Sequence, residues 1–393
     1  MTHYHRFAWH RTASSSIIAL VLAGFVCAAP PASAIASSAR FTPWVRAVAK
    51  ARGSVVNIRG RKTISAQNAS LNLDVGSKQV NGMGTGVVID ERGYIITNYH
   101  VIDGVKHIQV TLDNDRTLRG HLVSHDLATD IAIIKIDAGK KLPVINIGTS
   151  QDLMLAEPVV AVGNAYGYAH TITRGIISQL HRTVAINDEH TYKDLIQTDA
   201  SINPGNSGGP LLNIDGEMIG LNVAVRVGAQ GIGFAIPIDD VMETAAELMS
   251  VGRISNLWHG IIGETVYTNT SPAFVVKSVA KNSPAVSAGI QSGDIITFVD
   301  GKAIARSLDF HCALVGKLSE TPIPLRIRRD ANELSTSITL VMQNGRAWKA
   351  LGMRLATIPS ETFARQSALY RGGLRVVSVR ANGPALKTGI RQG

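Results

Sequence analysis

The stretch Gly205-Asn206-Ser207-Gly208-Gly209-Pro210 decides how this chain is interpreted, because it surrounds one serine with glycines. Glycine lets the backbone turn sharply, so that a serine hydroxyl is presented and nearby N–H groups converge on one point. Such a turn is typical of a nucleophilic serine, although turns rich in Gly and Ser are common in proteins. The stretch therefore predicts a nucleophile if a base and an acid accompany it in the chain.

Candidates for both partners lie upstream of Ser207. His100 follows the apolar run Tyr94-Ile95-Ile96, and Asp130 opens a strand-like run that ends at Ile136. Histidine can take the serine proton and return it to a leaving amine, and a buried aspartate holds the imidazole in the useful tautomer. Taken alone, each is more typical of a surface or turn residue. The chain order His, Asp, Ser predicts a chymotrypsin-like catalytic triad.

Further segments carry a resemblance to a known family. They resemble the HtrA family of extracytoplasmic serine proteases, the DegP-like heat-shock enzymes, from about Phe41 to the end of the chain. The matching segments are residues 84–89, 97–101, 129–132, 197–210 and 231–237. The resemblance implies a mainly β fold: a chymotrypsin-like protease domain of two Greek-key β-barrels, then one complete α/β PDZ domain and a truncated second PDZ domain.

The resemblance also assigns roles around the nucleophile. It implies an oxyanion hole made by the backbone N–H groups of Gly205 and Ser207. It places Ser201 at the base of the S1 pocket and Leu221 on a wall that narrows it. Ser201 is neutral, so we expect cleavage after small or medium aliphatic residues rather than after Lys or Arg. Asn206 has no charge to pair with a new N-terminus, which implies that no N-terminal zymogen switch operates.

Arg182 matches the sensor-loop arginine of the family, which relays occupancy of the PDZ domain to the oxyanion loop. An ordinary surface arginine is the alternative. The family also trimerises through aromatic residues near the start of the protease domain. Phe41 and Trp44 are the candidates by position, and packing of Trp44 onto its own domain is equally compatible with the sequence.

The first 34 residues have the pattern of a cleavable signal peptide. The apolar run from Ile17 to Ala29 is too short to span a bilayer, Arg6 and Arg11 precede it, and Ala32-Ser33-Ala34 follows it. An uncleaved membrane anchor is the alternative, and membrane association is expected only in that case. Cleavage would remove Cys27 and leave Cys312 as the one cysteine, so the mature chain has no intramolecular disulfide. The predicted location is the periplasm.

Apolar periodicity outlines the protease domain, which we expect over residues 35–252. Short strand-like runs recur from Ser54 to Val225, as in an all-β barrel, and Arg61–Asn81 is polar and predicts a loop. Phe41–Arg52 predicts a helix with Trp44, Val45 and Val48 on its apolar face. Ile238–Val251 predicts a second helix, ended by Gly252.

An internal repeat follows. Val275–Asp294 and Val376–Gly393 share a pattern about 100 residues apart, the size of one small domain. Both copies resemble PDZ domains, which we expect over residues 256–345 and, as a partial domain, 346–393. The resemblance implies that exposed protein C-termini bind as an added strand. The expected carboxylate-binding loops are Gly260-Ile261-Ile262-Gly263 and Leu351-Gly352-Met353.

Composition narrows the remaining classes. The formal net charge is +10, but basic residues do not cluster with aromatics, so nucleic-acid binding is not expected. His121 and His125 have no carboxylate partners at metal-ligand spacing, so we expect no metal and no cofactor. The predicted function is an endopeptidase of unfolded envelope proteins that forms homo-oligomers, a trimer or its multiples. A non-cleaving chaperone or PDZ adaptor and a regulatory protease with one envelope substrate are the alternatives.

Overall fold

The computed structural model describes residues 38–64, 78–164, 171–185, 191–224, 231–267, 271–342, 350–358 and 373–392. The predicted signal peptide, residues 1–34, lies outside these ranges. Ser38–Arg40, a short 3₁₀ turn, belongs to a separate compact unit, and the unit that begins at Phe41 carries every other element. In the described part of the chain, none of the helices has both the length and the apolar character required to cross a membrane.

The first half of the protease domain is a closed antiparallel barrel of six strands in the order β1-β2-β3-β6-β5-β4. Its strands are β1 Val55–Ile64, β2 Lys78–Asp90, β3 Tyr94–Asn98, β4 Val105–Thr111, β5 Thr117–Asp126 and β6 Ile131–Ile136. Strands β3 and β6 read as apolar runs because both are almost entirely buried. A short helix, α2 Tyr99–Ile102, begins directly after β3 and carries His100.

A second closed barrel follows, in the order β10-β11-β12-β9-β8-β7. Its strands are β7 Pro158–Gly163, β8 Thr171–Ala185, β9 Thr191–Thr198, β10 Pro210–Leu212, β11 Met218–Val223 and β12 Gly233–Pro237. The polar segment Arg61–Asn81 is not a loop throughout, because β1 continues to Ile64 and β2 starts at Lys78. Backbone pairing of these two strands extends them beyond the apolar part of their sequences.

Helices flank the barrels. Helix α1 spans Pro43–Ala51, capped at its start by the Thr42 side chain. Trp44 packs against the core of its own domain, whereas Phe41 and Val45 are about half exposed. The second predicted helix is α3 Ile238–Leu248, and it ends before Ser250. Gly252 does not end it, since that residue lies inside the next short helix, α4 Val251–Ser255.

The third module is a sheet with the strand order β14-β15-β16-β18-β19, and β17 pairs with β16. Its elements are β14 Ile261–Tyr267, β15 Pro272–Val279, α5 Pro284–Ser287, β16 Ile295–Val299, β17 Lys302–Ala303, α6 Ser307–Leu314, β18 Ile323–Arg329 and β19 Asn332–Ile338. Strands β13 Leu257–Trp258 and β20 Val341–Met342 pair with each other at its ends. A separate hydrophobic core that includes Phe274 and Phe310 lies beneath the sheet.

The internal repeat is visible in the backbone. Strands β21 Met353–Ile358 and β22 Gly373–Val379 pair with one irregularity after the second residue pair, and β14 and β15 pair in the same way. Helix α7 Pro384–Lys387 follows β22 as α5 follows β15. In both copies an alanine N–H at the start of the helix donates to the loop before the first strand, Ala285 to His259 and Ala385 to Leu351. The same local structure is therefore built twice.

Candidate active site

Asp130 occupies an unusual backbone conformation at the start of β6. Its φ is +56°, in the left-handed region that residues other than glycine seldom adopt. Its carbonyl oxygen accepts hydrogen bonds from the Tyr99 N–H at 2.9 Å and from the Asn98 side-chain amide at 3.2 Å. These bonds hold the residue in a conformation that would otherwise cost about 1–3 kcal/mol. They also fix the buried carboxylate relative to helix α2.

His100 and Asp130 are brought together. His100 Nδ1 lies 2.7 Å from Asp130 Oδ2, and the His100 backbone N–H donates to Asp130 Oδ1 at 2.8 Å. The His100 side chain is 45% exposed, whereas that of Asp130 is 6% exposed. One edge of the imidazole is thus held by a buried carboxylate while the rest of the ring faces the surface.

A third side chain reaches the same carboxylate. The Tyr192 hydroxyl on β9 donates to Asp130 Oδ2 at 2.7 Å, and both residues are buried. Burial raises the pKa of Tyr192, and the neighbouring Asp130 charge raises it further, so the hydroxyl stays protonated. The sequence reasoning missed Tyr192, because no motif links it to an aspartate 62 positions away.

The Ser207 loop packs against the end of β3, next to His100. The Ser207 carbonyl accepts from the Thr85 N–H at 2.9 Å. Gly208 has a φ of +80°, and a Cβ there would meet the Thr97 hydroxyl at 2.2 Å and the Thr85 carbonyl at 2.3 Å. Only glycine fits this close approach without displacing the backbone. The loop sequence therefore lets Ser207 lie beside the His100 helix.

The Ser207 hydroxyl accepts a hydrogen bond from the Ala224 N–H at 3.0 Å. Across the described residues, no hydrogen bond joins this hydroxyl to the His100 ring. The hydroxyl is thus bonded to a backbone amide rather than to the histidine.

The predicted oxyanion donors share the same turn. Gly205 has a φ of +104°, and its carbonyl accepts from the Thr85 hydroxyl at 2.7 Å, which fixes the Gly205–Asn206 peptide between the two donors. Neither the Gly205 nor the Ser207 N–H donates a hydrogen bond to another residue in the described ranges. Two adjacent backbone donors without an internal acceptor suit an external oxyanion. Asn206 is fully buried, and its side-chain amide donates to the Ser201 carbonyl at 3.3 Å.

The two predicted pocket residues are placed differently. Ser201 is exposed, six positions before Ser207, and its carbonyl also accepts from the Thr173 hydroxyl at 2.9 Å. Leu221 is fully buried in the largest hydrophobic cluster, on strand β11. Every residue of β11 is buried, so the role of Leu221 as a wall that narrows the S1 pocket stays a prediction.

Arg182 lies on the irregular β8–β9 hairpin. It pairs with Leu195 across the strands, between two register shifts, and its Nε donates to Gln197 Oε1 at 2.9 Å. Strand β9 continues through Thr198 toward the Ser207 loop. The arginine is thus connected to the strand that precedes the nucleophile rather than isolated on the surface.

The first predicted carboxylate loop has a tight geometry. Gly260 has a φ of +87°, and a Cβ there would meet Ser283 Cβ at 2.1 Å. Ile261 is buried, and Ile262 is 57% exposed. The Ile261 N–H donates to Nδ1 of the buried His259 at 3.0 Å. A Cβ on Gly263 would meet the Phe274 ring at 2.4 Å, so this glycine lets the strand pass close to the core.

Strand β14 is an edge of its sheet, and helix α6 lies along the open edge. The Ser307 N–H at the start of α6 donates to the Thr265 hydroxyl on β14 at 3.0 Å. A peptide that adds to β14 as a further strand would therefore lie between β14 and α6. Strand β14 and helix α6 would then form the two sides of one candidate peptide-binding site.

The protease domain holds α6 at both ends. Arg92 donates to the Val315 and Cys312 carbonyls at the C-terminal end of α6, at 2.9 and 2.6 Å. Burial opposes ionisation of Asp90, but its paired hydrogen bonds with Arg92 outweigh that effect and lower its pKa. At the other end, Arg306 donates to the Ile147 carbonyl at 3.0 Å. These bonds join the two domains directly.

Metal binding finds no support in the described ranges. They contain no group of three or more His, Cys, Asp or Glu side chains that could hold an ion. His125 instead stacks on the Tyr99 ring, with centroids 4.3 Å apart.

Comparisons with known proteins bear on the family. A trypsin-like peptidase domain model matches residues 84–221, and a PDZ domain model matches residues 260–340. The chain is 35% identical over 338 residues to a probable periplasmic serine endoprotease, DegP-like, of Halomonas elongata, covering 81% of this chain and 70% of that protein. A protein of the same name from a Marinomonas species is 31% identical over 409 residues, covering 92% and 86%.

A solved structure of the HtrA-type protease AlgW with a decapeptide aligns at 29% identity, covering 76% of this chain and 98% of that one, with a TM-score of 0.46. The sequence relatives and the two domain models confirm the resemblance found in the motifs. The chain thus belongs to the HtrA family of DegP-like serine endopeptidases, which join a trypsin-like protease domain to PDZ sequence.

Proposed function

We propose that this endopeptidase degrades unfolded proteins of the cell envelope, with Ser207 as nucleophile, His100 as general base and Asp130 as orienting acid. The observation that carries the proposal is the 2.7 Å bond between His100 Nδ1 and Asp130 Oδ2, beside a serine in a glycine turn. The periplasmic names of its relatives support an envelope location after removal of residues 1–34.

The reaction begins with release of the Ser207 hydroxyl from the Ala224 N–H. His100 takes the hydroxyl proton as Ser207 attacks the scissile carbonyl, and Asp130 stabilises the resulting imidazolium. The N–H groups of Gly205 and Ser207 donate to the oxyanion, and loss of one such donor lowers kcat by about 100- to 1000-fold in comparable enzymes. His100 then protonates the leaving amine, and water releases the acyl group.

The neutral and exposed Ser201 supports a preference for small or medium aliphatic side chains before the cleaved bond. Ser201 has no carboxylate, so this position gives no reason to select Lys or Arg. Strong cleavage after arginine in a peptide library would contradict this part of the proposal.

The PDZ sequence binds exposed C-termini of unfolded chains on the open edge of β14, near Gly260, Ile261, Ile262 and Gly263. The duplicated geometry of β21, β22 and α7 supports a second PDZ unit that begins near residue 346. Arg182 relays peptide binding toward the nucleophile loop through β9. The exposed Phe41 is the better candidate for a contact between subunits of a homo-oligomer, because Trp44 packs on its own domain.

The decisive experiment compares the chain from Ile35 onward with its Ser207→Ala variant. Both receive reduced casein as an unfolded substrate, with circular dichroism and thermal unfolding as controls for the fold. We expect cleavage by the first protein only.

Equal cleavage by both would refute the role of Ser207. No cleavage by either, with casein kept soluble, would favour the chaperone function. A PDZ-binding C-terminal peptide added to the same reaction separates that outcome from an enzyme that awaits its activator.

A further inference from the structure

We propose that Tyr192 is a positioning residue of the peptidase reaction, whose hydroxyl holds the Asp130 carboxylate and limits its pull on His100. The inference rests on the proposed roles of His100, Asp130 and Ser207. Neither the motifs nor the domain models point to Tyr192, and the observation that does is its hydrogen bond to Asp130.

The carboxylate is shared between two donors at one oxygen. Asp130 Oδ2 lies 2.7 Å from His100 Nδ1 and 2.7 Å from the Tyr192 hydroxyl. Asp130 Oδ1 accepts separately from the His100 backbone N–H. A neutral hydroxyl that donates to an anion stabilises the anion and weakens its bonds to other donors. Tyr192 therefore competes directly with the imidazole for the negative charge of Oδ2.

The two residues come from different barrels. Asp130 opens β6 of the first barrel, and its backbone is fixed there by Tyr99 and Asn98. Tyr192 lies on β9 of the second barrel, opposite Val184, and its ring packs in the core that both barrels share. The carboxylate is thus held from both sides of the junction. Without the hydroxyl, its rotation would be restrained only from the first barrel.

The ring also borders a cavity of about 480 Å³ behind the site. The charged groups that line it are Lys193 on β9 and Asp240 and Glu243 on α3. Burial raises the pKa of both acids, and neighbouring acids raise them further. A Tyr192→Phe variant keeps all these groups and the ring itself, so it tests the hydroxyl alone.

Loss of the hydroxyl has a predictable direction. Oδ2 would carry more negative charge toward Nδ1 and would stabilise the imidazolium form of His100 relative to the neutral ring. The enzyme needs neutral His100 as a base, so the acid limb of kcat/KM would move to higher pH. A purely structural role for Tyr192 would lower activity without moving this limb.

The experiment uses the chain from Ile35 onward with Tyr192→Phe, and Tyr94→Phe as the matched control. Tyr94 is a half-buried tyrosine of the first barrel whose ring contacts Arg92 and Lys135. We expect Tyr192→Phe to lower kcat by about 3- to 10-fold, because the carboxylate loses its restraint from the second barrel and orients the imidazole less firmly. The stronger pull of Oδ2 on the imidazolium should move the acid limb up by about half a pH unit. Tyr94→Phe should move neither.

A second measurement does not need turnover. The His100 ring is titrated by NMR in the Ser207→Ala background, with and without Tyr192→Phe. A higher titration midpoint in the double variant supports the proposal even if no substrate is cleaved. Identical midpoints, or a shift equal to that of Tyr94→Phe, would overturn it. A lower midpoint would also overturn it, since it would mean that the carboxylate had left the imidazole.

Discussion

Acid should open the PDZ domain through two buried histidines. His259 and His311 lie side by side against Phe310, with ring centroids 6.2 Å apart. Burial lowers the pKa of His259 to about 3, with repulsion from His311 as a smaller cause, and burial lowers the pKa of His311 to about 4. In the unfolded chain both should titrate near their ordinary value of about 6.5. The unfolded state therefore binds more protons than the folded state as the pH falls below that value.

The magnitude follows from the difference in bound protons. Stability is retained above pH 6.5 and is lost as the pH falls from there toward the folded pKa values. Each histidine should make the opening free energy about 2 kcal/mol lower at pH 5 than at pH 7. In the middle of this window, the slope should approach about 1.4 kcal/mol per pH unit for each group.

Cys312 provides an assay that reports on this domain alone. It is buried in α6 and is the only cysteine of the chain from Ile35 onward. Its reaction with a dipyridyl disulfide, which labels thiols in acid, is compared with that of the urea-unfolded protein at each pH. The ratio of the two rates gives the opening free energy of the helix.

Variants of the two histidines test whether they cause the pH dependence of opening. His259→Leu and His311→Leu should each remove about half of the pH dependence, and the double variant should remove most of it. His181→Gln, which changes an exposed histidine, is the matched control and should leave the slope unchanged. If wild-type protein opened equally at pH 5 and pH 7, or if the double variant kept the full slope, the reasoning would be wrong.

Two further predictions concern arginines. Arg92→Met leaves the buried Asp90 without its cation and removes the hydrogen bonds to two carbonyls of α6. The opening free energy of α6, measured by the Cys312 assay at pH 7, should therefore fall by about 3 kcal/mol. Arg52→Met, whose partner Asp113 is more exposed, should change little, and equal effects of the two would contradict this account. Arg182→Ala should lose activation by a C-terminal peptide in the casein assay while it keeps basal cleavage, with the exposed Arg174→Ala as control. Full activation of Arg182→Ala would remove the proposed relay.

The sequence predicted the parts of the site that lie in short motifs. His100, Asp130 and Ser207 each follow or open a segment with a distinct local pattern. The structure brings His100 and Asp130 within hydrogen-bond distance, and the three catalytic roles stay predictions. Tyr192 and the Ser207–Ala224 bond were out of reach, because each depends on a contact between distant strands. The role of Leu221 also stays a prediction, because every residue of β11 is buried and burial alone does not separate a pocket wall from the core.

Among the strands and helices, too, those with a distinct local sequence pattern were predicted, and those set by contacts with distant parts of the chain were not. The apolar strands β3 and β6 were predicted with nearly their observed bounds, because burial on all sides leaves a continuous apolar run. Strand β9 was not predicted, since its buried and exposed residues do not alternate regularly and its position is set by pairing with β8 and β12. The end of α3 was placed too late, because the chain leaves the helix at Ser250 and turns into α4 without a terminal glycine.

Helix α6 makes hydrogen bonds both to β14 of its own domain and to the protease domain. Its start is hydrogen-bonded to β14, the proposed binding edge, and its ends are fixed by Arg92 and by the contact of Arg306 with Ile147. A ligand that pushes α6 away from β14 must stretch the bonds to the protease domain, and it must supply the free energy to do so. If peptide binding displaces α6 in this way, a change in the protease domain that weakens those bonds would strengthen peptide binding, because less free energy is then needed to move the helix. Mutations far from the binding edge, at Arg92 or Asp90, would then appear in an affinity measurement.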